Sequence, residues 1–156
     1  MKSMFDPTVR FLGLLSGGLA AGIALCVLLM DRAWAGTGQF YTELMQLQIR
    51  VLTVPAPALG ALGLVTISID AALLWRRGGG APFWLGVAAI SLGVTAMALT
   101  RLGHFPINDQ ILKWNPVSPP ADWMSVQARW SALHVARTIA AVGSFSLFLL
   151  GNLMRT

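Results

Sequence analysis

Long apolar runs broken by short polar punctuation organise this chain. Residues 11–30 (FLGLLSGGLAAGIALCVLLM) carry no charge, and at about 1.5 Å per residue a helix of that length covers roughly the 30 Å hydrocarbon core of a bilayer. The pattern predicts a first span there. Residues 39–50 (QFYTELMQLQIR) place Phe40, Leu44, Leu47 and, just beyond, Val51 at helical spacing among polar residues, which predicts an amphipathic helix at the membrane surface or against the bundle. A second span follows over about 51–75, where Pro55 and Pro57 predict a kink or a restart near the interface. Arg76, Arg77 and Gly78 to Gly80 make a tight basic turn, and a third span over about 82–102 opens on Phe83 and Trp84 as interface anchors.

The stretch 104–121 (HFPINDQILKWNPVSPPA) holds four of the eight prolines, so one continuous helix is excluded there. Asn108 is a candidate cap for a short helix over 109–114, and Ser118-Pro119 is a second start signal. From there a helix can run to about residue 153, roughly 50 Å. That exceeds the membrane, so its first turns project from the bilayer and the fourth span covers about 130–153. The predicted fold class is all-α: one integral membrane four-helix bundle over residues 1–156, with an amphipathic segment before the second span and a long loop between the third and fourth.

Composition agrees. Hydrophobic residues make up 56% of the chain and charged residues 11%, with a mean hydropathy of +0.69, which places the chain in lipid. The net charge of +5 is spread over span ends, a pattern suited to anionic lipid headgroups rather than nucleic acid. Cys26, the only cysteine, excludes an intramolecular disulfide and a cysteine metal cluster. Lys2 and Arg10 before the first run, and Ala33-Trp34-Ala35 after it, resemble a cleavable signal. The run is longer than a signal core and Asp31 and Arg32 intervene, so it is read as a retained span. Five basic residues (Lys2, Arg10, Arg76, Arg77, Arg155) fall on the side of the termini with only Asp6, against five diluted among four acids opposite. That density predicts cytoplasmic termini in a bacterial inner membrane.

Polar groups inside spans are where function is sought. Advancing about 100° per residue, Trp123, Gln127, Trp130, His134, Arg137 and Ala141 share one face of the last helix. Arg137 lies roughly two turns deeper than Trp130, too deep for lipid, and its plainest role is bonding to carbonyls of a neighbouring helix. Arg101 and His104 end the third span, followed by the turn Pro106-Ile107-Asn108-Asp109. Antiparallel packing of the third and fourth spans would bring the only two histidines, His104 and His134, to similar depth near Arg137. Asp70, near the far end of the second span, is expected to pair with Arg76 or Arg77. Gly17, Gly18, Gly22, Gly60 and Gly63 are expected to permit close helix packing.

The segment His104-Phe-Pro-Ile-Asn108-Asp109, then Arg129-Trp130, His134 and Arg137-Thr138, resembles the signature of a small four-span family typified by anthrone oxygenases. That family shows a His- or Asn-x-Pro-x-Asn turn after its third span and an Arg-Trp, His, Arg-Thr pattern in its fourth. The specific match covers 104–138, and many members remain a domain of unknown function. The resemblance implies oxidation of a polyphenolic anthrone to an anthraquinone by O₂ without an organic cofactor or metal. On that reading His134 or His104 is the general base, Arg137 and Asn108 stabilise the anion, and Trp130, Trp123, Arg101, Arg129 and Asp109 contact the substrate.

No cofactor is expected. Two histidines on facing helices are in principle axial haem ligands, and His104, His134, Asp109 and Glu43 form a conceivable metal set, but no H-x-x-H, H-x-x-x-H or E-x-x-H spacing supports it. The expected partners are membrane lipids and a hydrophobic aromatic molecule. A homo-oligomer or a larger membrane complex stays open, as does a non-enzymatic role as a small membrane subunit or lipid-binding scaffold.

Overall fold

The computed structural model describes residues 5–33 and 36–155. Lys2 and the Trp34-Ala35 part of the signal-like pattern lie outside them. Helix α1 spans Phe5–Ala33, α2 Gly38–Leu52, α3 Pro55–Arg76, α4 Ala81–Ala98, α5 Phe105–Ile111 and α6 Trp123–Leu153, with a π-helical turn, Leu99–His104, joining α4 to α5. No strand occurs among the described residues; Asn115 and Ser118 form one isolated bridge.

Four helices are long and apolar enough to cross a membrane: α1, α3, α4 continued through α5, and α6. They pack in the ring order α1, α3, α4, α6, with α6 closing against α1. Each neighbour runs antiparallel, as the short connections require. The outside of the ring is apolar. Phe11, Val65, Ile139 and Leu153 are all more than half exposed, a surface that only lipid solvates. The chain is therefore an integral membrane helical bundle.

Local sequence explains the boundaries. Pro55 cannot donate within a continuing helix, so α2 stops at Leu52 and α3 restarts with proline in its first turn. Val51 and Leu52, assigned by sequence to the second span, thus belong to α2. Gly78, Gly79 and Gly80 all have positive φ (98°, 73° and 92°), which makes the turn after α3 a glycine-only path. Trp75, Phe83 and Trp84 cluster around it, with ring centroids 5.2 and 5.0 Å apart.

Helix α4 does not end where the prolines suggest. The backbone widens into the π turn, where the Phe105 amide donates to the Thr100 carbonyl, and continues as α5. Pro106 lacks a donor and would press on the carbonyl four residues back, so the wider turn relieves both problems. Asn108 consequently sits inside α5 rather than capping a helix over 109–114. The last helix begins at Trp123, not at Ser118-Pro119.

Close packing runs through small residues in part. A β-carbon on Gly63 would lie 3.5 Å from the Gly17 backbone, and one on Gly13 would meet the Phe148 ring at 2.8 Å. Gly22 faces open space instead. At the end of the bundle opposite the termini, α2 lays Tyr41, Met45 and Ile49 over Ile111, Trp114, Val126 and Trp130. The Gln46 amide donates to the carbonyls of Ile111 and Trp114 at 3.0 and 2.9 Å, pinning the loop to α2. Burial, with the charge of Asp31 adding, raises the Tyr41 phenol above its ordinary value, so that side chain stays neutral. The stripe Phe40, Leu47 and Val51 points outward, each residue more than half exposed. At the terminal end, Asp70 pairs with Arg155 in a bidentate contact of 2.9 and 2.6 Å, not with Arg76 or Arg77.

Candidate functional site

The face of α6 predicted from helical spacing turns inward at Trp130 and His134, with Arg137 half-buried a turn further on. Trp130 and His134 are buried, 3% and 0% exposed. One turn apart, they stack at 4.7 Å between centroids with an 18° interplanar angle. His104, 1% exposed, comes from the π turn and meets both rings edge-on, 5.3 Å from Trp130 and 5.8 Å from His134. Asn108, one turn along α5, accepts the Trp130 indole N–H through Oδ1 at 3.0 Å. The bond ties the third span to the fourth.

Hydrogen bonds assign a different state to each histidine. Arg137 Nη2 lies 2.6 Å from His134 Nδ1. A guanidinium only donates, so Nδ1 is the acceptor and the ring proton sits on Nε2. That proton is donated to the Ala24 carbonyl of α1 at 3.0 Å, an oxygen that also accepts from the Thr138 hydroxyl at 3.4 Å. Both nitrogens of His134 are engaged. His104 instead donates Nδ1–H to the Leu99 carbonyl five residues back, at 3.1 Å. Its Nε2 lone pair is buried and has no hydrogen-bond partner among the described residues. Arg137 Nε is likewise buried with its N–H unspent. The plainest alternative read from the sequence, Arg137 bonded to carbonyls of a neighbouring helix, is not seen among the described residues; its Nη2 bonds the histidine on its own helix.

These groups border one small chamber of about 50 Å³, lined by His104, Asn108, Trp130 and Arg137 with Gln48 and Ile49 of α2. An apolar cavity of about 70 Å³ reaches Arg137 from the bundle interior, past Ala20, Gly60 and Met97. Other residues expected at the site lie elsewhere. Trp123 packs against Tyr41, 5.5 Å between centroids. Arg101 is exposed, with its guanidinium 5.2 Å from the Phe105 ring. Arg129 and Asp109 are exposed.

Sequence reasoning missed the Ala24 carbonyl and the contribution of α2. A backbone oxygen leaves no trace in residue type. Gln48 gave only the weak signal of an amide amid apolar neighbours.

The chamber does not fit a haem held by the two histidines. His134 has no lone pair to offer while Arg137 and Ala24 hold it. Nor do the described residues contain a group of three His, Cys, Asp or Glu side chains close enough to share a metal ion. Such a group would be the usual basis for a protein-held site.

Comparison with curated proteins and with solved structures finds no match. A family model described as anthrone oxygenase matches residues 45–147. The match takes in the second half of α2, all of α3, α4, the π turn and α5, and most of α6, and with them every chamber residue named above. Two thirds of the chain, including the histidine, arginine and asparagine groups that converge between its helices, thus follow one family pattern, and the chain belongs to the anthrone oxygenase family.

Proposed function

We propose that this protein is a membrane oxygenase that uses O₂ to oxidise a lipid-soluble, anthrone-like phenolic compound, with His104 as the general base. The observation that supports this most is that two residues lining one chamber each carry an unspent buried group: the Nε2 lone pair of His104 and the Nε–H of Arg137. Leaving a buried polar group unpaired costs about 1–3 kcal/mol, and such groups call for an explanation. A substrate that gives a proton to one and places negative oxygen against the other satisfies both.

In the proposed reaction, His104 Nε2 removes a proton from the ring CH₂ of the anthrone. The electron pair delocalises onto the carbonyl oxygen as a phenolate-like anion, which Arg137 stabilises at low dielectric. The carbanion carbon then bonds to O₂, giving a hydroperoxide at that carbon once a proton returns. Loss of water leaves the second carbonyl. Anthrone plus O₂ thus becomes anthraquinone plus H₂O, and O₂ is the oxidant. His134 is a positioning residue that holds the Arg137 guanidinium. The cavity beside Arg137 is of a size for O₂ and far too small for a ring system.

A scaffold role has some support in the Trp130–Asn108 bond, which locks two spans together. It leaves the unspent groups of His104 and Arg137 without a purpose. The test is turnover: the chain in lipid nanodiscs, given anthrone and ¹⁸O₂, is expected to form anthraquinone carrying one labelled oxygen. Formation no faster than in protein-free nanodiscs overturns the proposal.

A further inference from the structure

The chamber at His104 holds about 50 Å³, whereas pockets for drug-sized ligands begin near roughly 300 Å³. Three fused rings do not fit in it. A space of that size does exist beside it. A groove of about 350 Å³ lies between α1 and α2, walled by Cys26, Met30, Leu44, Leu47 and Val51. Its remaining walls, Ile23, Val27, Gln48 and Leu52, also line the chamber. The two spaces are thus separated by one layer of side chains, among which Gln48 supplies the only amide.

We infer that this groove is the binding site for the body of an aromatic, lipid-soluble substrate, which enters from the bilayer between α1 and α2 and reaches toward His104 past Gln48. The groove opens outward. Leu47 and Val51 are each 58% exposed, and Cys26 is exposed beside them. A molecule dissolved in lipid therefore meets the groove without crossing a polar layer. Apolar walls suit fused rings, and the Gln48 amide can accept from a phenol or donate to a ring carbonyl. An acyl chain has no use for that amide. The outward stripe of α2 thus gains a role: it forms the side of a substrate doorway. The inference rests on the reading above only for the chemistry of the guest.

Anthraquinone itself is the probe. Under near-ultraviolet light its ketone abstracts hydrogen from a neighbouring C–H, and the two radicals combine into a C–C bond that mass spectrometry maps. In nanodiscs, label is expected to concentrate on residues 23–30 and 44–52, severalfold above other lipid-facing positions such as Leu62 and Ile139. Unlabelled anthrone is expected to compete it away. Val51→Trp and Leu47→Trp, at exposed positions that tolerate bulk, are expected to abolish the label. His104→Gln is expected to leave the label in place while removing turnover. Label spread evenly over all lipid-facing helices, as for a dissolved guest, overturns the inference. Turnover without groove labelling overturns it too, and leaves the proposed reaction standing. Groove labelling without any turnover counts against the reaction alone.

Discussion

Replacing each histidine by glutamine separates a base from a positioning residue, because glutamine copies the hydrogen bonds of one and not the chemistry of the other. At position 134 the native ring accepts from Arg137 and donates to the Ala24 carbonyl. A glutamine amide offers one acceptor and a donor, so His134→Gln can keep both bonds. At position 104 the amide can still donate to the Leu99 carbonyl, but its oxygen is too weak a base to take a proton from carbon. General-base catalysis contributes about 10²- to 10⁴-fold, or roughly 3–5 kcal/mol of barrier at 1.36 kcal/mol per decade. His104→Gln is therefore expected to lower the rate of anthrone oxidation by about that factor with little change in thermal unfolding. His134→Gln is expected to stay within about tenfold of the native rate. Truncation behaves differently. His134→Ala leaves the Arg137 guanidinium without its acceptor at a fully buried site, while the Ala24 carbonyl keeps the Thr138 hydroxyl, a loss of about 1.5–3 kcal/mol for the charge-assisted bond. The measurements are anthraquinone formation followed by absorbance and thermal unfolding followed by tryptophan fluorescence, both in nanodiscs. Equal inactivation by the two glutamine variants, or an active His104→Gln, refutes the assignment.

Three further outcomes follow from the packing. Asp70→Ala leaves Arg155 without its carboxylate at a site where both side chains are largely buried, and is expected to cost about 3 kcal/mol of stability without changing turnover per folded molecule; Asp70→Leu combined with Arg155→Met is expected to recover most of it by the same unfolding measurement. Gln46→Leu removes two donors from loop carbonyls and is expected to destabilise by about 2 kcal/mol or more, with faster proteolysis between residues 112 and 122 as the check. Gly13→Ala would place a methyl 2.8 Å from a Phe148 ring that is almost wholly buried, and is expected to lower the unfolding midpoint through overpacking by about 1–3 kcal/mol.

The spans were readable because a bilayer demands length and apolarity, and residues 11–30 meet both without ambiguity. The inward face of α6 was readable too, since Trp130 and His134 stand four residues apart. Side-chain periodicity found the helix α2 but left open which way its apolar stripe would face. In water an apolar stripe faces the protein, but a helix beside lipid can present apolar residues on both sides, and Phe40, Leu47 and Val51 were the outer set. The partner of Asp70 was also illegible. Arg77 is on nearly the same helical face but two turns along the axis, about 10 Å away, while Arg155 arrives alongside from the turn after α6, 85 residues later. Pro106 signalled a break after the third span, but a missing donor and a crowded carbonyl are met equally by ending a helix or by widening one turn, and here the backbone widens and continues as α5.

In the proposed reaction the two histidines cannot exchange roles, and the reason lies in the turns that carry them. Arg137 follows His134 by three residues on a regular helix, so its guanidinium folds back onto Nδ1 and fixes the tautomer. The opposite nitrogen is then consumed by Ala24 of α1. His104 ends a π turn, where the side chain can reach the carbonyl five residues back and donate Nδ1–H to it. That bond also fixes a tautomer, but with the lone pair on the nitrogen that points away from its own helix. No described residue meets it there. One geometry therefore spends its imidazole on holding a cation in place, while the other leaves an unpartnered Nε2 that can serve as the base of the proposed reaction. Straightening the π turn, as by deleting Leu102 or Gly103, would rotate everything that follows by about one helical position, roughly 100°. Asn108 would leave Trp130 and His104 would lose Leu99, so activity would be lost even with every named side chain still present.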